Sequence, residues 1–125
     1  MNSVYYFEIQ AADPEKAAAF YTAVFAWEFT KQADMPVDYW AIDTEGINGG
    51  LLRRPAPAPA PGSGTNAYVC SMEVEDFDAT AEKIVQQGGR VALPKFAIPG
   101  KCWQGYFVDP EGNTFGVFQV DEKAA

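Results

Sequence analysis

Residues 5–27, YYFEIQAADPEKAAAFYTAVFAW, begin with alternating apolar positions, step through Asp-Pro-Glu and close on a run of alanines and aromatics. Residues 68–89, YVCSMEVEDFDATAEKIVQQGG, repeat that order of events. Asp13 and Asp76 occupy the same place in the two stretches, 63 residues apart. An internal repeat of this kind decides the architecture before any single motif does. Before each aspartate lies a period-2 strand, with Tyr5, Phe7 and Ile9 on one face of the first and Cys70, Met72 and Val74 on one face of the second. After each lies a helix. Asp13 is placed to cap the first, with Pro14 at its first position and Phe20, Val24 and neighbouring alanines as an apolar stripe. Asp76 caps the second, in which Phe77, Ala81, Ile84 and Val85 recur at helical spacing until Gly88-Gly89 stops it.

Three short strands are predicted after each helix: Trp27–Lys31, Asp38–Asp43 and Asn48–Arg53 in the first half, and Arg90–Pro94, Cys102–Val108 and Thr114–Val120 in the second. The last strand of each half follows a turn. DPEGN at 109–113 has hairpin chemistry, because proline fixes φ while glycine and asparagine tolerate positive φ. Between the halves, RRPAPAPAPGSGTN (53–66) favours polyproline II with a flexible Gly-Ser-Gly end. A linker is the plainer account of it, and a PxxP-type recognition peptide the other. The chain is therefore expected to be one α+β domain of two tandem βαβββ modules, about 1–54 and 66–120, joined by a linker at about 55–65. Neither half has enough core to stand alone. Doubling gives curved mixed sheets around a cavity on the face away from the helices.

The bulk numbers fit this. A chain of 125 residues with 48% hydrophobic and 21% charged residues is an ordinary globular domain. A net charge of −8 argues against a nucleic acid or an anionic membrane as partner, since both need a basic face. No apolar stretch approaches a membrane span, and MNSVYYFEIQ lacks a signal-peptide pattern. Cys70 and Cys102 have no CxxC spacing and are expected to be buried free thiols, which points to the cytoplasm.

The phrase FEIQAADPEKAAAFYTAVFAWEF, supported by FVDPEGNTFGVFQ near the far end and by the paired βαβββ pattern, resembles the vicinal oxygen chelate superfamily of glyoxalases, bleomycin-resistance proteins and extradiol dioxygenases. The similarity is greatest to small single-domain bacterial glyoxalase-like proteins. That resemblance implies metal ligands on the first and last strands of each module. Carried across, the first strands offer Tyr6 and Val69, seven residues before Asp13 and Asp76, and the last strands offer Gly50 and Gly116. Histidine is absent from the chain. Tyr, Val and two glycines do not build a divalent site, so no metal and no cofactor is expected. A shift of two residues brings Glu8 into play, but its counterpart Ser71 adds little.

If Tyr6 points into the cavity, Glu8 shares its face, as Ser71 and Glu73 share that of Val69. A carboxylate in such a pocket is a candidate base, and a structural partner for Arg53 otherwise. Trp40, Trp103, Tyr106, Phe107 and Phe118 lie on strands that line or back a cavity, where aromatic walls suit flat apolar ligands or cations. Core packing accounts for at least half of these, and Phe20, Tyr21, Phe25 and Trp27 are assigned to the core outright. The stretch FAIPGKCWQG (96–105) reads as an irregular loop bordering the cavity, making Lys101, Trp103 and Gln104 candidate ligand contacts.

Two functions from different classes remain open. One is a metal-independent protein that sequesters or carries a partly aromatic metabolite or drug, as bleomycin-resistance proteins in the family do at a dimer interface. The other is a metal-free lyase or isomerase using Glu8 or a tyrosine as acid or base. No histidine is present to activate Ser or Cys, which disfavours nucleophilic chemistry. An accessory subunit is a third option. The expected partners are a small-molecule ligand and a second copy of the chain in a homodimer, with no nucleic acid and no membrane.

Overall fold

A computed structural model describes residues 1–125. The element order is β1 (Val4–Ala11), α1 (Pro14–Phe25), β2 (Glu28–Gln32), β3 (Tyr39–Asp43), β4 (Gly49–Arg53), β5 (Val69–Glu73), α2 (Phe77–Gln86), β6 (Arg90–Ile98), β7 (Cys102–Val108) and β8 (Thr114–Val120). This is the strand–helix–strand–strand–strand order, twice. The chain forms two compact units, Tyr6–Tyr68 and Val69–Ala125 with Met1–Tyr5.

In the first unit the strand order is β2-β3-β4-β1, with β1 parallel to β4 and the other neighbours antiparallel. In the second it is β5-β8-β7-β6, with β5 parallel to β8. Both are mixed sheets of the same topology. Each helix starts as its local chemistry dictates. The Asp13 carboxylate accepts from Lys16 N at 3.2 Å and that of Asp76 from Ala79 N at 3.0 Å, which satisfies an amide the helix leaves without an internal partner. Gly88, at φ +96°, lies just past α2, where a left-handed residue ends a helix.

One core lies under each helix. Ile9, Trp40, Ile42 and Leu51 form the first, with Phe7, Ala17, Ala18, Tyr21 and Trp27 packed against it. Val74, Phe77, Phe107 and Val117 form the second. The expected helix stripe is corrected here. Phe20, Val24 and Phe25 are exposed at 58%, 54% and 57%, because α1 is apolar nearly all round and only its Ala17, Ala18 and Tyr21 side reaches the sheet. On α2, Val85 is likewise exposed, while Ala81 and Ile84 pack inward.

The two compact units meet in sequence at Tyr5/Tyr6 and at Tyr68/Val69. Met1–Tyr5 belongs with the second unit, where Asn2 N donates to Glu73 O at 2.7 Å and the Tyr5 ring meets Phe118 edge-on. The end of the Pro-Ala segment belongs with the first. Arg54 Nη2 bonds Gln10 O and Asn66 Oδ1, and Tyr68 stacks on Phe7 while its hydroxyl meets that of Tyr21 at 2.6 Å. The linker itself is exposed and has no helix or strand. β6 continues four residues past its expected end, through Pro94 to Ile98. Its pairing with β7 shifts register on both sides of Leu93, and on the outer strand of this sheet Pro94 has no ladder donor to lose. The segment 96–105 is therefore strand, tight turn and strand, not an irregular loop.

The cysteines are free and half-buried. The last five residues, which show no pattern in sequence, are tied down: Gly100 N donates to Ala124 O, and Asp121 accepts the Trp103 indole N–H at 3.0 Å. No helix is long and apolar enough to cross a membrane.

Candidate functional site

The two faces of each sheet divide by alternation. In the first unit, Phe7, Ile9, Trp40, Ile42 and Leu51 face the helix, which leaves Tyr6, Glu8, Tyr39 and Gly50 on the opposite face. There the Tyr6 hydroxyl lies 2.5 Å from that of Tyr39, and Tyr39 Oη donates to Glu8 Oε2 at 3.1 Å. Gly50 makes this meeting possible. It is the ladder partner of Glu8 on β1 and of Ala41 on β3. A Cβ there would run into the Tyr39 hydroxyl and come within 2.8 Å of that of Tyr6. Burial, with the Glu8 charge behind it, pushes the Tyr39 hydroxyl far above the ordinary phenol range. Burial also raises Tyr6, against the lowering effect of its bond to Tyr39. Both phenols are held protonated.

The second unit repeats the arrangement with other side chains. Ser71 is the ladder partner of Gly116 as Glu8 is of Gly50. Gln104 pairs with Phe118 as Tyr39 pairs with Leu52, two places along from the residue opposite the glycine. A Cβ on Gly116 would strike the Ser71 hydroxyl and come within 2.9 Å of Gln104 Nε2. Ser71 is 2% exposed and Gln104 8%, and Gln104 Nε2 donates to Gly105 O at 3.3 Å. Each unit thus has a glycine with two polar side chains converging above it.

The expected contacts separate accordingly. Tyr6 and Glu8 come together, as do Ser71 and Gln104. Trp40 lies on the helix side in the core, with Lys31 Nζ 5.3 Å from its ring. Arg53 pairs with Asp38 at 3.2 Å and donates to Ala12 O at 2.8 Å. Trp103 packs against the second core and carries Lys95 Nζ over its ring at 4.7 Å. Lys101 is exposed in the turn before β7. Phe118 shares the Gly116 face and touches Tyr5. Tyr39 is the residue that sequence reasoning missed. Laying the repeats strand on strand would have found it, as the counterpart of Gln104.

The donor set can be tested against the metal that the family resemblance implies. The first unit brings together one carboxylate and two phenols that hold their protons, whereas a metal takes deprotonated ligands. Tyr6 contributes one phenol, and Gly50 and Gly116 contribute no side-chain donor. No group of three or more His, Cys, Asp or Glu side chains converges anywhere. These residues do not fit a divalent ion of the zinc or iron type.

Paired βαβββ units with a polar cluster on the face away from each helix define a glyoxalase-type scaffold. The family model for the glyoxalase/bleomycin resistance protein/dioxygenase superfamily matches residues 3–117, and the chain belongs to that superfamily. Among curated proteins it is 28% identical over 121 residues to the Mycobacterium tuberculosis protein named "Putative glyoxylase CFP32", a match covering 91% of this chain. The chain spans only 44% of the length of that relative and of its Mycobacterium bovis counterpart. Among solved structures it resembles a hypothetical protein from Bacillus halodurans, with a TM-score of 0.68 at 11% identity, covering 98% of this chain and 97% of the other. A Streptomyces coelicolor methylmalonyl-CoA epimerase variant in complex with 2-nitronate-propionyl-CoA matches with a TM-score of 0.67 at 19% identity, covering 99% and 98%. At these identities the structural likeness speaks for the fold.

Proposed function

We propose that the protein is a metal-independent, small-molecule-binding member of the superfamily that sequesters or carries a partly aromatic metabolite or drug. One observation carries this: where the family resemblance implies metal ligands, the first unit holds a hydrogen-bonded row of two neutral phenols and a carboxylate over Gly50. Such a row recognises polar groups and is poorly suited to a divalent cation. Tyr6, Tyr39 and Glu8 are the proposed ligand contacts in that unit, with Ser71 and Gln104 as a neutral polar pair at the equivalent place in the other. The protein is proposed to work in the cytoplasm as a homodimer, the commonest closed arrangement, without nucleic acid or membrane.

A second function is favoured by one specific contact. A carboxylate holding a phenol proton, as Glu8 holds that of Tyr39, is also the equipment of a metal-free lyase or isomerase, and methylmalonyl-CoA epimerases are among the proteins of like fold. The two are separated by thermal-shift screening of the full chain against a metabolite collection, followed by Glu8→Gln. A true ligand stabilises the folded state by mass action. Turnover of that ligand, lost in Glu8→Gln with affinity kept, selects the enzyme; affinity without turnover selects the binder. Stoichiometric Zn²⁺, Ni²⁺ or Mn²⁺ in protein purified without chelator, lost in Glu8→Gln, refutes the metal-independent assignment.

A further inference from the structure

Proton accounting on the first unit's face narrows the ligand. A tyrosine hydroxyl has one proton to give. That of Tyr39 goes to Glu8 Oε2. The Tyr6–Tyr39 contact must therefore use the Tyr6 proton, so the row runs Tyr6 to Tyr39 to Glu8. Its outer member, the Tyr6 oxygen, has no proton left and lone pairs to offer. A ligand meeting it has to bring the proton.

Charge points the same way. The basic residues at the end of β4 are engaged elsewhere: Arg53 bonds Asp38 and Ala12 O, and Arg54 bonds Gln10 O and Asn66. An anion at Tyr6 would gain no hydrogen bond from that hydroxyl and would stand two residues along the strand from the Glu8 side chain, roughly 7 Å. The chain as a whole carries −8, which favours cations in the surrounding field.

We propose that the Tyr6–Tyr39–Glu8 row selects ligands that present an N–H or O–H donor, an organic ammonium above all, and rejects carboxylates. This rests on the binding function proposed above and names the chemistry of its ligand. The hydroxyl of Tyr39 acts as the positioning group that fixes the polarity of the row.

The test uses the full chain with ¹³C-labelled tyrosine and three matched probes at neutral pH and constant ionic strength: benzylammonium, benzyl alcohol and benzoate. The Tyr6 and Tyr39 ring resonances are expected to shift saturably with benzylammonium, more weakly with benzyl alcohol, and not with benzoate. Tyr6→Phe, which removes the accepting oxygen alone, is expected to weaken benzylammonium roughly tenfold or more, as loss of a hydrogen bond to a charged group does. Tyr39→Phe supplies the converse. It frees the Tyr6 proton for outward donation, so benzoate is expected to gain binding while benzylammonium loses it, an exchange that mere unfolding would not produce. Benzoate binding to the unaltered chain as tightly as benzylammonium overturns the inference and leaves the binding function standing. So does an unchanged preference in Tyr39→Phe. Silence of all three probes also overturns it, and the metabolite screen then judges the binding function by itself.

Discussion

Gly50 and Gly116 sit at the same place in the two units, each opposite a residue of the parallel strand and beneath a side chain from the antiparallel one. Above Gly50 that place holds Glu8 and Tyr39, half-buried and ionisable, with Tyr6 added beside them. Above Gly116 it holds Ser71 and Gln104, buried and neutral. The backbone solution is shared because it is a packing requirement: two side chains meet only if the residue beneath them lacks a Cβ. The side chains are not subject to that requirement, so the two copies differ in chemistry on one scaffold. The first unit carries the titratable row, the second a sealed polar contact.

Adding the missing Cβ is the most direct way to break this parallel. Gly50→Ala and Gly116→Ala should each destabilise by about 1–3 kcal/mol, the usual range for overpacking a filled site, measured by chemical denaturation. Gly116→Ala should lie at the upper end, since Ser71 and Gln104 are buried while Tyr39 is only half-buried. Equal losses would mean the two places are packed alike.

The units should also differ in how pH undoes them. Tyr6, Tyr39 and Tyr68, all of the first unit, have raised pKa values. Burial and its bond to Tyr21 push Tyr68 up to about 12. Above pH 10 the unfolded chain loses these protons and the folded chain keeps them. The unfolded state then binds fewer protons, and stability falls as pH rises from about 10 through the folded values. Tyr39→Phe should flatten that alkaline limb, read as unfolding midpoint against pH. In the second unit, burial also raises the Cys102 thiol, which adds to the alkaline loss. Two aspartates of that unit are shifted the other way. Asp109 is lowered chiefly by the amide of Asn113 and Asp121 chiefly by that of Lys123, with the Trp103 indole next. Their contribution is present above the ordinary value of 3.8 and is lost as pH falls through the lowered ones. Asp121→Asn should flatten the acid limb and leave the alkaline one unchanged.

The smallest effect is expected where the copies agree. Asp13→Ala and Asp76→Ala remove equivalent helix caps and should each lower stability by about 1 kcal/mol, seen as similar shifts in Tm. A difference of several-fold between them would mean that one helix is held by something besides its cap.

Much of the scaffold was legible because its signals are local. Cys102–Val108 and Thr114–Val120 have the expected bounds, since period-2 alternation and the DPEGN turn are contained within a few residues. In that turn Asp109 accepts from Glu111 N and Asn113 N, with Gly112 at φ +86°. The site was legible in part. Tyr6 and Glu8 share a face by alternation alone, and their strand is the one the repeat singles out. Trp40 was expected among the aromatics that line or back the cavity, yet its neighbour Tyr39 is the one that meets them. One residue of parity decides which of the two faces the helix, and the strand by itself does not announce its parity.

The amino-acid sequence by itself determined the duplication, the order of elements, the helix caps and the lack of any histidine, all of which follow from composition or from contacts a few residues apart. Tertiary structure decided what depends on register between distant strands: that Gly50 opens a space for Tyr39, 11 residues before it, that Gly116 does the same for Ser71 and Gln104, and that the first five residues belong with the second unit. It also decided which side of the largely apolar α1 is buried. The physical reason is common to all of these. A strand's own residues fix which side chains share a face, while only the ladder partners fix which side chains on neighbouring strands meet.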